Sequence, residues 1–596
     1  MAKNQLRASQ LITTFGPGAM VDLPEASVIV AGLDDWHYDQ SQIPVIEEPR
    51  LLAKLKGLLQ VNSLSLRTPP PASDRDFGFR PDITVWRFPE WFIVQRLERT
   101  IRGFRRRRLV HLNTLDGSKY RDEDNKKVAV VPLRFVRACV RGHVGDIDWK
   151  AFVHSTGTSD CIRQLWIEER GTSGDLDEIA IVCECGLDRI MSQAARLDLQ
   201  ALGRCNGSRP WLGAGTREPC GEINRLLIRS ASNAYFPEKM SVISLPDTRQ
   251  PIDDIISSLW DDFLVDVDSL EDLVRIRCKP TVASKLEALS DDDVYKAIRR
   301  KHEGVEEEDR PVKEVEFEAL SEVKEELGSD VPDGNFFARA LPKKDWTASW
   351  MESIERVVLV HRLREVVAQV GFTRFESVGV DIQGELTLDV KRAPLALDLK
   401  WLPAIENRGE GIFLLLKSEA VDRWAQNSQV TKRGIQLLEG FRIWKDEKKS
   451  SREFPGLPFY FLHSLSHLVL TVISLDCGYP ASSLRERVYA GPGKYGILIY
   501  TGSSDAEGTL GGLVQAGREI KKYMLLALER GRLCSNDPIC AHHTPITHDH
   551  QPLLGSACHG CLLIAETSCE QANSFLDRAL VGPTIESLGA EFFPGV

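Results

Sequence analysis

Cys558-His559-Gly560-Cys561 places two thiols two residues apart; Cys569 follows, and Cys534 and Cys540 lie upstream, so five of the chain's 13 cysteines fall in one stretch. Thiolates at this gap reach one tetrahedral metal, because the tight turn between them aims both sulfurs inward. A Cys558–Cys561 disulfide is the competing chemistry and suits a secreted chain. The start, Met1-Ala2-Lys3-Asn4-Gln5, has no apolar core of a signal peptide, so a reducing cytoplasm and structural zinc are expected. Cys540 is expected as the fourth ligand ahead of Cys534, since the turn at Asp537-Pro538 brings it nearer to Cys558, Cys561 and Cys569.

The stretch from Cys139 to Cys220 holds six cysteines and two histidines among many turn residues, the composition of metal knuckles in a region with little core. Cys183-Glu184-Cys185-Gly186 is one half-site, and Cys205 with Cys220 supplies the other two thiolates of a closed second site. Cys139 and His143 look like a further half-knuckle, for which His154 and Cys161 are candidate partners or core residues. Cys278 and Cys477 stand alone and read as small buried hydrophobes. His463 and His467 lie one helical turn apart, but Ser464 stands where a metalloprotease has its glutamate, so packing or capping inside a buried helix is expected.

Three further patterns bear on catalysis or binding. Asp389-Val390-Lys391 and Asp398-Leu399-Lys400 have the carboxylate–lysine spacing of metal-dependent nucleases, with Asp381 or Glu385 as the extra Mg²⁺ ligand such a site needs. Gly508-Thr509-Leu510-Gly511-Gly512 precedes an apparent helix from Leu513 to Glu529, a place where free N–H groups can receive a phosphate or where a helix packs close to a strand. No Gly-x4-Gly-Lys-[Ser/Thr] occurs, so the chain carries no evident nucleotide-hydrolysing loop. Residues 96 to 108 carry seven arginines, of which Arg102, Arg105, Arg106, Arg107 and Arg108 are the candidates to grip phosphates or an acidic partner.

The elements that must position these residues point to a mixed α/β, multidomain chain. A length of 596 residues exceeds one core. A net charge of −11 excludes a protein that coats nucleic acid with its whole surface, though not a local basic channel. Short strands and loops are expected over 1–135 with the arginine segment, zinc knuckles over 136–235, and acidic helices over 236–345. That third section, with Glu306 to Asp309 and Glu322 to Asp330, reads as a solvated helical surface and linker. An α/β unit ending in the cysteine cluster fills 346–596. Within it, Ile354 to Val370 and Val421 to Leu438 have helical spacing, and Phe459 to Leu475 reads as a buried helix. Gly384 to Val390, Gly411 to Leu416 and Tyr495 to Tyr500 read as strands.

Several motifs in order resemble the DrmB family of the DISARM anti-phage defence system. They are Arg7-Ala8-Ser9-Gln10-Leu11-Ile12-Thr13-Thr14-Phe15-Gly16-Pro17-Gly18-Ala19, Arg134 to Cys139 with Gly142-His143, Cys205-Asn206-Gly207 with Pro210-Trp211, and Ser232 to Pro237. Gly409 to Phe413 with Trp424, and Cys558 to Cys561 with Asn573 to Arg578, complete the set. Residues from His463 to Arg578 also resemble a domain attached to certain superfamily 2 DNA helicases. The resemblance implies a non-catalytic subunit that works with a separate helicase subunit, DrmA, on invading phage DNA. A metal-dependent nuclease and a protein-only scaffold of the same complex are the alternatives. Relatives carry a Cys-x2-Cys pair after Phe-Pro-x-Trp; here Phe88-Pro89-Glu90-Trp91 is followed by Val94 and Leu97, which argues against zinc on Cys139 and His143.

Overall fold

The computed structural model describes residues 6–23, 26–39, 43–71, 82–155, 161–246, 250–287, 289–303, 310–331, 334–377, 379–386, 391–448, 450–502, 511–545 and 551–595. Among them the chain is mixed α/β, with two nine-stranded sheets, three smaller sheets and a helical C-terminal layer.

The spine is an antiparallel pair of long strands, Ile354–Thr373 and Trp401–Leu416. Phe236–Ile243 and Phe336–Ala340 pair with the first strand, and Lys494–Thr501 pairs with the second and with Leu484–Gly491. Ile354 to Val370 is therefore strand, not helix. Nearly every residue of this strand is buried, so the in–out alternation that marks a half-exposed strand is erased. Its apolar residues fit either period, and the density of β-branched Val357, Val358, Val360, Val366, Val367 and Val370 decides for strand. Strands at Gly411 to Leu416 and Tyr495 to Tyr500 lie where their apolar runs place them. The expected helix Val421 to Leu438 is split into Ser418–Ala425 and Ser428–Lys448.

Against this sheet packs Leu457–Cys477, a helix long and apolar enough by length and composition to cross a membrane, yet enclosed by Leu484–Gly491 and Ile520–Arg532. Pro458 in its first turn and left-handed Gly478 (φ 72°) after its last residue set its ends.

Pairing runs across the expected segment limits. Ser65–Arg67 lies parallel to Trp401–Leu416, and Phe135–Ala138 pairs with Arg225–Ile228. Fully buried Arg374 donates to the carbonyls of Gly18 (2.8 Å) and Gly142 (2.9 Å), clamping two of the family-like motifs onto the spine. Gly18 has φ 83° and lies so close to Phe372 that a Cβ would collide with the ring.

The acidic section is more than a solvated surface. Gln250–Leu259, Leu270–Arg277, Pro280–Leu286 and Asp291–Glu303 bury Ile256, Leu273, Val282, Val294 and Ile298 in a core of their own. Glu306 to Asp309 lie outside the described residues, and Glu322 to Asp330 contains a short strand, Glu326–Gly328.

Candidate metal centres

Cys534, Cys540, Cys558 and Cys561 converge, with Cys558–Cys561, Cys540–Cys561 and Cys534–Cys558 sulfur separations of 3.8, 3.7 and 3.3 Å. A disulfide would need about 2.05 Å. Zn–S bonds of about 2.3 Å set tetrahedral thiolates roughly 3.8 Å apart, so the set has the dimensions of a closed zinc site. Both Cys534 and Cys540 belong to it. The Asp537 carboxylate receives the N–H groups of Cys534 (2.8 Å) and Ala541 (3.2 Å), which folds the turn so that neither thiol is left out. Buried Arg578 braces the same carboxylate at 2.5 Å. Backbone N–H groups of Gly560 and Asn536 point at the sulfurs of Cys558 (3.3 Å) and Cys534 (3.4 Å), the hydrogen bonds a thiolate attracts. Burial pushes the Cys558 thiol up, but the Cys534 and Gly560 hydrogen bonds outweigh it and bring it down to about 7.

Cys569 is not part of this set. It lies instead beside His463, His467 and Glu486, all buried. The histidine pair thus shares a polar cluster inside the helix layer rather than merely packing there.

The N-terminal cysteines form two sets, not one, and the expected grouping of Cys183 and Cys185 with Cys205 and Cys220 is corrected. Cys183 ends strand Ile179–Cys183, which faces helix Trp149–His154, and Cys185 lies in the turn that follows, so both meet His154 and Cys161. The Cys161–Cys183 separation is 3.6 Å, and Cys185 lies 3.3 Å from His154 Nε2. Nδ1 of His154 donates to the Lys150 carbonyl (2.8 Å), leaving Nε2 free to ligate. Cys205 and Cys220 flank a loop bridged at Arg204–Ile223 and Ser208–Arg217 that faces the Cys139–His143 turn.

His143 Nδ1 lies 3.4 Å from Cys139 and 3.5 Å from Cys205, with Cys220 4.0 Å from Cys139. Cys139 and His143 therefore have a full complement of partners, and the missing Cys-x2-Cys pair leaves no gap: Val94 there packs with Phe92 and Val110. The hydrogen bond from Cys139 does most to bring the Cys205 thiol down to about 4, against its burial and with help from His143. Three thiols and one imidazole per set suit structural zinc, with no position left for a substrate. The signal for this partition was present in Cys-x3-His at 139–143 and in His154 with Cys161. Cys278 and Cys477, expected to be buried, are exposed.

The Glu410 carboxylate accepts the N–H groups of Gly511 and Leu513, both at 2.7 Å, so this chain's own carboxylate, not a phosphate, fills the helix start. Gly508 to Leu510 lie outside the described residues. So do Thr387 to Val390, including Asp389 of the nuclease-like triplet. Asp398 pairs with Lys400 (3.0 Å) on the surface, Asp381 caps the turn at Gln383 and Glu385, and Glu385 pairs with Lys54 (3.1 Å).

The arginines lie on strand Arg105–His111 and the hairpin before it. Arg106 pairs with Glu98 (3.2 Å) and stacks over Trp166, Arg107 pairs with Glu169 (2.7 Å), and Arg108 pairs with Glu123 (2.6 Å). Arg99, Arg102 and Arg105 surround the hairpin tip, where Ile101 is fully exposed, with no acidic partner among the described residues.

Residues 7–236 match a domain family of unknown function, DUF8724, and residues 465–562, which contain the four-cysteine set, match the MrfA Zn-binding domain. The chain is 31% identical over 479 residues to the DISARM protein DrmB of Bacillus paralicheniformis (strain ATCC 9945a / NCIMB 11709 / CD-2), covering 78% of this chain and 83% of that relative. The cysteine tetrad inside the matched zinc domain makes this a zinc-binding chain.

Proposed function

This chain belongs to the DrmB family of DISARM proteins, and on that premise we propose that it is a cytoplasmic, non-catalytic subunit of a DNA helicase complex in bacterial anti-phage defence. Its partner is the helicase subunit DrmA, which supplies ATP hydrolysis, and the pair binds and processes invading phage DNA. One observation carries this reading: a closed four-cysteine set sits within a C-terminal unit matched to the MrfA Zn-binding domain, in a chain alike to DrmB over most of its length.

The chemistry of the sites supports the division of labour. Zinc supplies a fixed cross-link when bound. Cys534, Cys540, Cys558 and Cys561 hold it in one place, Cys139, His143, Cys205 and Cys220 in a second, and His154, Cys161, Cys183 and Cys185 in a third. None of these closed sets offers a reacting group access. The absence of a phosphate-cradling Gly-x4-Gly-Lys-[Ser/Thr] motif agrees with hydrolysis on another subunit. Contact with DNA falls to Arg99, Arg102 and Arg105 at the hairpin tip, whereas Arg106, Arg107 and Arg108 are satisfied internally.

The test is reconstitution with purified DrmA on duplex DNA carrying single-stranded tails. The chain should tighten DNA binding by the helicase and raise its DNA-dependent ATPase rate, while leaving DNA uncut in Mg²⁺. Cleavage by the chain alone, or a helicase indifferent to it, contradicts the proposal.

A further inference from the structure

Four donor atoms converge beside the cysteine tetrad in a place none of the three cysteine-rich sets uses. His463 and His467 project from helix Leu457–Cys477, and Glu486 from strand Leu484–Gly491. Cys569 sits on a loop tied to that strand by the Glu486 N–H bond to the Ser568 carbonyl (3.2 Å). Exposure is 0% for both histidines, 1% for Glu486 and 9% for Cys569.

The hydrogen-bond partners fix where the protons are. His463 Nδ1 lies 3.2 Å from the Phe575 carbonyl and His467 Nδ1 lies 2.9 Å from the Leu562 carbonyl. A carbonyl only accepts, so each Nδ1 carries the proton. Both Nε2 atoms then turn lone pairs inward, onto one oxygen, Oε1 of Glu486, at 2.8 and 3.1 Å. His463 Nε2 is also 3.2 Å from Cys569 Sγ. That sulfur is itself an acceptor, for the N–H groups of Gln571 (3.4 Å) and Asn573 (3.2 Å).

Lone pairs of two imidazoles, a carboxylate and a sulfur facing one another repel unless a cation lies among them. Even with a Cys569 S–H donating to His463 Nε2, protons would meet that need at the shared Glu486 oxygen only by charging at least one ring in a place closed to water, which is costly. One divalent ion satisfies all four donors. The outward N–H-to-carbonyl bonds are those that orient metal-bound histidines, and the other Glu486 oxygen is held by the Ser466 hydroxyl.

We propose that His463, His467, Glu486 and Cys569 form a further zinc site, fully enclosed and structural. Imidazole, carboxylate and thiolate donors in a compact four-atom set are those of zinc. Such a site would join the central helix, the adjacent strand and the C-terminal loop at one point. Its outer bond to Leu562, the residue after Cys561, links it to the cysteine tetrad. The inference stands whether or not the chain serves a helicase.

Metal analysis of the full-length chain by plasma mass spectrometry tests it. Glu486→Gln and Cys569→Ala should each contain one zinc equivalent fewer per chain than the unsubstituted protein; equal content overturns the proposal. Should either variant fail to fold, zinc-edge anomalous diffraction from crystals of the unsubstituted chain decides. A peak between His463 Nε2 and Cys569 Sγ is expected, and peaks at the cysteine-rich sets with none there would overturn it.

Discussion

Glu218 holds the outer nitrogen of His143: its Oε1 lies 2.7 Å from Nε2, while Nδ1 of the same ring faces Cys139 and Cys205. This carboxylate–histidine arrangement fixes the ring and raises its basicity toward a metal on Nδ1. Arg141 (3.0 Å) and Arg209 (3.1 Å) hold the carboxylate in turn. Glu218→Gln should therefore weaken zinc binding at this set by about 10- to 100-fold. Chelator competition, followed by zinc release, measures it; unchanged affinity would remove the role given to Glu218.

Loss of a tetrad ligand acts through folding. Cys540→Ser should remove one zinc equivalent and loosen the segment from Cys534 to Arg578, which is braced by Asp537. Hydrogen exchange over that segment should rise, with the N-terminal cysteine-rich sets unaffected. Retention of zinc with unchanged exchange would contradict the ligand assignment.

The Glu410 cap gives a metal-independent prediction. Glu410 is 1% exposed and receives the Gly511 and Leu513 N–H groups. Glu410→Ala leaves these donors unpaired and should cost about 1–3 kcal/mol, read as a lower denaturation midpoint. Glu410→Gln, which retains an acceptor oxygen, should cost less.

The arginine segment divides into two classes. Substituting Arg99, Arg102 and Arg105 together by Ala should reduce the salt dependence of DNA binding by about 0.9 in slope for each phosphate no longer neutralised. Arg107→Ala, which breaks an internal pair with Glu169, should leave the slope unchanged. Equal effects of the two substitutions would reject the division.

Much of this was legible in the sequence where the signal is local. The core strand at Tyr495 to Tyr500 and the helix from Phe459 to Leu475 announce themselves by apolar run and length. Ile354 to Val370 did not, because burial on both faces removes the periodicity that separates strand from helix. The cysteines announced zinc, but not their grouping. Cys139 meets Cys220 across 81 residues of chain, and His463 meets Cys569 across 106, so the ligand sets are products of tertiary packing. Spacing reveals the half-sites and leaves their pairing to the fold. The Cys558–Cys561 half-site stood out because its two ligands share one turn; His154 and Cys161 stood out less because six residues separate them.

The most direct test of the account is co-purification of this chain with DrmA. The account predicts that the zinc-loaded chain and DrmA elute together as a stable complex with DNA-stimulated ATPase activity. Separate elution of two folded proteins, with DrmA fully active alone, would contradict it.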